Sequence, residues 1–99
     1  MIRYRADQMI SASDFESSVG QTFTVDTGGT QLQLELNAVR SLSSSSRAGG
    51  GFSLLFKGPR DAALQQATYR FVGNGFADDI FIVPVSADAT ALFYEAVFN

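Results

Sequence analysis

From Gln31 to Leu42 the chain alternates almost one for one. Leu32, Leu34, Leu36 and Ala38 fall on one parity, and Gln31, Gln33, Glu35 and Asn37 on the other. Successive side chains of an extended strand point to opposite faces, so this pattern dictates a strand with one dry face and one wet face. A helix would split the same leucines between two sides. Arg40 falls on the apolar parity. The strand is therefore expected to bulge or end near Asn37–Arg40.

The same period recurs along the rest of the chain. Phe23 and Val25 alternate with threonines. Phe52, Leu54 and Phe56 share one parity, with Leu55 on the other. Tyr69 and Phe71 point inward from Ala67–Val72. Asp79–Val85 is apolar on both faces, and Leu92, Tyr94, Ala96 and Phe98 form the dry face of Ala91–Phe98. Turn signals separate these runs. Thr27-Gly28-Gly29-Thr30 is one, and Gly73-Asn74-Gly75 carries the Asn-Gly pair typical of a tight hairpin. Gly58-Pro59 is expected to stop the third strand, and Pro84 to place the end of the fifth at a sheet edge. Ser43–Gly51 has the composition of a surface loop. Near the start, Ser13-Asp14-Phe15-Glu16 matches a capping box. The short helix it opens is expected to end at Gly20 and to dock through Phe15 and Val19. With 99 residues there is room for one domain. The expectation is all-β: a small antiparallel barrel or sandwich of about six strands with a short N-terminal helix. Residues 1–12 read as an N-terminal arm and 13–99 as a single β-domain.

Composition narrows the chemistry. Cysteine, histidine and tryptophan are absent, which excludes a disulfide framework, a thiolate nucleophile, a zinc finger and a His-based relay. Asp78 and Asp79 are the only adjacent acids, and strand neighbours diverge rather than converge. Lys57, the single lysine, stands at a strand end, where a solvated charge is expected. Gly49-Gly50-Gly51 lacks the lysine and hydroxyl residue of a phosphate loop. No catalytic residue, cofactor or metal is therefore expected. The net charge is −3 and the seven basic residues are scattered, which argues against nucleic acid. Arg3, Arg5 and Asp7 interrupt the apolar start, so no signal peptide is expected and synthesis in the cytoplasm is. No apolar run approaches the roughly 20 residues of a spanning helix, so membrane insertion is not expected.

What distinguishes the chain is apolar side chains in excess of one core face. Tyr69, Phe81, Phe93, Tyr94 and Phe98 read first as core. Yet Leu55, Phe81, Val83, Phe93 and Val97 fall on the parity of a second face. Either closure of the sheet buries them or a partner does. That points to a non-enzymatic, self-associating or partner-binding β-subunit, using apolar strand faces and strand addition at an exposed edge. The expected contacts are Ile2, Tyr4, Met9 and Ile10 of the arm and Phe93 and Val97 of the last strand. The alternative is a monomeric barrel holding a small apolar or carbohydrate ligand near Tyr69, Phe81 and Tyr94.

Several stretches also carry a family likeness. Phe52-Ser53-Leu54-Leu55-Phe56-Lys57-Gly58-Pro59, Tyr69-Arg70-Phe71, Ile80-Phe81-Ile82-Val83-Pro84-Val85 and the ending Tyr94-Glu95-Ala96-Val97-Phe98-Asn99 are the main ones. With the Phe15…Val19-Gly20…Phe23 opening, the chain resembles an uncharacterised bacterial domain-of-unknown-function family of similar length. Proteins of that kind tend to be encoded beside phage-tail-collar fibre proteins of the microcystin-dependent type. The resemblance implies a subunit or accessory of an extracellular filament or phage-tail-like appendage. Its partners would be further copies of itself or a tail-collar-like fibre protein. It supplies no catalytic residues.

Overall fold

The computed structural model describes residues 12–42 and 51–98. They form a short helix, α1 (Ala12–Glu16), and the strands β1 (Thr22–Asp26), β2 (Gln31–Leu42), β3 (Gly51–Pro59), β4 (Ala67–Gly73), β5 (Phe76–Ala87) and β6 (Ala91–Phe98). Every neighbouring pair is antiparallel, and the order β1-β2-β3-β6-β5-β4 closes because β1 also pairs with β4. Of the two architectures compatible with the pattern, the chain adopts the barrel.

Closure depends on two long strands. β2 and β5 have 12 residues each, while the other strands have 5 to 9. β2 pairs with β1 through Gln31–Glu35, then with β3 from Glu35 to Leu42. β5 pairs with β4 up to Ile82, then with β6 from Val83 onward. The barrel is thus two four-stranded sheets, β2-β1-β4-β5 and β2-β3-β6-β5, which share their outer strands. Strands that change sheets in this way turn their corners at bulges or bends. Both shared strands carry one, between Leu36 and Ala38 and between Pro84 and Ser86. The first is the irregularity that Arg40 signalled. One extra residue resets the parity, so Val39 packs against the core and Arg40 is exposed.

The same geometry corrects two expectations. Gly58-Pro59 does not stop β3, since both residues pair with β6, opposite Leu92 and Ala91. Pro84 does not end β5 at an edge; it pairs with Tyr94 in mid-strand, beside the bulge. In each case one neighbour has already left: β2 parts from β3 after Lys57, and β4 from β5 after Ile82. A missing N–H breaks no ladder on that side. The Gly73-Asn74-Gly75 hairpin forms as expected. Asn74 and Gly75 have φ of 55° and 81°, the positive values that a two-residue type I′ turn needs.

Phenylalanine fills the interior. Phe15 reaches from α1 to within 6.4, 6.3 and 5.4 Å of the ring centres of Phe23, Phe52 and Phe76. Phe23 meets Phe56 edge to face, Phe56 lies against Phe71, and Phe52 stacks on Phe98. Phe15 therefore plugs one end of the barrel. Val19, its expected companion, is exposed, and Ser18 is buried instead. The helix ends at Glu16, and the next bond, from Ser18 N–H to the Phe15 carbonyl, spans three residues rather than four. That tighter turn rotates Ser18 inward, where the Asn74 amide donates to its hydroxyl.

The Leu34 side chain occupies the space that a side chain on Gly58 of β3 would need. A Cβ on Gly58 would lie 2.5 Å from Leu34 Cδ2, and Leu34 is fully buried. Gly58→Ala is expected to destabilise the fold by about 1–3 kcal/mol. Urea denaturation with an unchanged m-value checks this.

Candidate functional site

Two surfaces stand out, an outer wall and a mouth. The outer wall belongs to the sheet β2-β3-β6-β5, and its registers place the side chains in rows. Ala38, Leu55, Glu95 and Val83 form one row; Lys57, Phe93 and Ser86 form the next; Arg40, Ser53 and Val97 lie on the other side. Phe81 stands two residues from Val83 along β5, on the same face. Phe81 and Val97 are each 51% exposed and Val85 47%. A shallow groove of about 240 Å³ crosses this wall, with Leu55 and Glu95 between Arg40 and Val85.

Of the nine phenylalanines, seven (Phe15, Phe23, Phe52, Phe56, Phe71, Phe76 and Phe98) join the interior ring contacts. Phe81 and Phe93 do not, which corrects their reading as core; Tyr69, Tyr94 and Phe98 do belong to or pack against it. The parity on which Phe81 and Phe93 fall was visible in the alternation. Closure puts that parity outside. Phe93 and Val97 thus sit together on the outer wall of β6, whereas Ile2, Tyr4, Met9 and Ile10 lie outside the described residues. The order closes, and the free edge left among the described residues is partial, as along Val83–Ala87, which pairs with β6 alone.

The mouth lies at the end opposite Phe15. The crossover from β3 to β4, residues 60–66, closes over it and is pinned at three points. Arg60 donates to the Asp88 carbonyl at 2.8 Å, the Leu64 N–H donates to the Tyr94 hydroxyl at 2.9 Å, and the Tyr69 hydroxyl donates to the Gln65 carbonyl at 2.8 Å. Between this crossover and β5 opens a cleft of about 720 Å³. Its walls include Leu64, Pro84, Val85, Leu92, Phe93 and Tyr94. It contains Tyr94 but neither Tyr69 nor Phe81.

The turn between β5 and β6 is built on Asp88. Its carboxylate accepts the Thr90 N–H at 2.8 Å, the Ala91 N–H at 2.9 Å and the Thr90 hydroxyl at 3.1 Å. These bonds, the Thr90 N–H first, hold the carboxyl below the ordinary aspartate value of 3.8. The acids at 78 and 79 do not converge. Asp79 lies 3.5 Å from Arg70 across the β4–β5 pair, and the Asp78 carboxylate accepts the Asp79 N–H. Among the described residues, no group of three or more acidic, histidine or cysteine side chains is placed to hold a metal ion. No helix among them is long and apolar enough to cross a membrane.

A profile for DUF6916, a domain of unknown function, matches residues 10–98. The chain belongs to the DUF6916 family. The match spans α1 and all six strands of the barrel. No curated protein and no solved structure matches this DUF6916 chain.

Asp88 gives the turn a pH signature. A carboxyl held low in the folded state stabilises above its unfolded value and loses that contribution as pH falls through the folded value. Asp88→Ala is expected to lower Tm at neutral pH. The gap to the wild type should narrow as pH is brought from 7 down to about 2. Thermal melts across that range check it.

Proposed function

We propose that this DUF6916 protein is a non-enzymatic assembly subunit that docks through the outer wall of β2-β3-β6-β5. One observation supports it above the others. The sheet has closed, the core is full, and Phe81, Val85 and Val97 are still about half exposed on one wall, beside Phe93 and Val83. Single apolar residues on a surface need no explanation, but neighbouring ones on one face favour a partner. The rows also carry Arg40, Lys57 and Glu95. Glu95 stands within the wall, between Leu55 and Val83, with Arg40 and Lys57 in the neighbouring rows, and charges so placed set register and partner choice.

The partner we propose is a second copy of the chain, a tail-collar-like fibre protein, or both in turn. The proposed setting is an extracellular filament or phage-tail-like appendage, as the family resemblance implies. Phe93 and Val97 lie within the proposed face. Ile2, Tyr4, Met9 and Ile10 would add contacts from the arm. The closed barrel favours face-to-face burial over strand addition as the means of docking.

Sedimentation velocity over a wide concentration range, alone and with such a fibre protein, tests this. The wild type is expected to form a complex in one arm or both, and Phe81→Asp with Val97→Asp to abolish it while the circular-dichroism spectrum stays β. A wild type that sediments as a 10.6 kDa monomer in both arms overturns the proposal. So does a complex that survives the double substitution.

A further inference from the structure

From the mouth of the barrel we infer a binding site for a small, uncharged, largely apolar molecule bearing one hydrogen-bond acceptor oxygen. Barrel mouths are recurrent ligand positions, and sites for such molecules commonly measure about 300–1,000 Å³. The cleft, at about 720 Å³, falls within that range. Leu64, Pro84, Val85, Leu92 and Phe93 give it apolar walls, and none of its lining residues is charged. A charged ligand would lose its hydration there without a counter-ion.

The acceptor oxygen follows from Tyr94. Tyr94 is buried and forms part of the cleft wall, and its hydroxyl accepts the N–H of Leu64, another residue of that wall, at 2.9 Å. A tyrosine hydroxyl also donates one hydrogen bond. Among the described residues no acceptor takes that proton. A carbonyl or ether oxygen entering the cleft would complete the pair.

An added peptide strand suits the place less well. Val83–Ala87 pairs with β6 on one side only, but Pro84 lacks an N–H and a bulge follows it. Both features blunt an edge against further pairing. The cleft borders the outer wall and shares Val83, Val85, Ser86 and Phe93 with it, but its polar anchor is the interior Tyr94, and it does not rest on the assembly reading.

Acetophenone and α-methylstyrene make a matched pair of probes, alike in shape, with only the first carrying an acceptor. Backbone amide NMR titration of the full chain is the measurement. Acetophenone is expected to shift the Leu64, Val85 and Phe93 amides, and α-methylstyrene to bind about fivefold more weakly. Tyr94→Phe should erase that preference. It also removes the acceptor of the Leu64 N–H, so a second variant is needed. Ala63→Trp, on the exposed face of the crossover, should fill the mouth and abolish binding of both probes with the remaining spectrum unchanged. Equal binding of the two probes by the wild type overturns the inference. So does the absence of shifts at those amides, or binding that persists in Ala63→Trp.

Discussion

Two strands of 12 residues, β2 and β5, each serve both sheets, and the barrel exists because each turns its corner at a bulge. The rest of the structure follows from those two corners. They let β1 reach β4, which removes the free edges of an open sheet. They part β5 from β4 at Ile82, which opens the cleft beside the crossover. The two halves of the chain repeat one plan. β1-β2-β3 and β4-β5-β6 are both meanders with the long, bulged strand in the middle, joined by the crossover 60–66.

Much of this was legible in the alternation. The leucines of β2 named its inner face, Arg40 on the wrong parity named its bulge, and Asn74-Gly75 named the hairpin. The prolines misled because their cost depends on which neighbour is present. Pro59 and Pro84 sit where one flanking strand has departed, and a single strand's sequence carries no information about that. Val19 misled for a related reason, since a five-residue helix does not sustain a four-residue repeat. The cleft was not legible either. It is made by residues far apart in sequence, Leu64 and Tyr94, joined by a hydrogen bond. The twofold plan left no sequence repeat because only the pairing is repeated, not the side chains.

Closure also decides what the surplus apolar residues mean. In an open sheet, Leu55, Phe81, Val83, Phe93 and Val97 could have faced a second layer of the same chain. In the barrel they line the outside. The interior is already occupied by six phenylalanines and the Phe15 plug. Interiors pack near the density of organic crystals, so there is no room for more rings within.

We propose that this wall, and not the protein surface at large, is covered when the protein assembles. Valine methyl groups provide an internal comparison. Val85 and Val97 stand on the wall, while Val19 and Val72 lie elsewhere with nearly equal exposure, 46% and 47%. The direct measurement is relaxation enhancement of these methyls by a soluble paramagnetic agent, in dilute protein and in the assembled state. Assembly is predicted to protect Val85 and Val97 while Val19 and Val72 keep their dilute values. Equal protection of all four, or protection of Val19 and Val72 alone, would contradict the account.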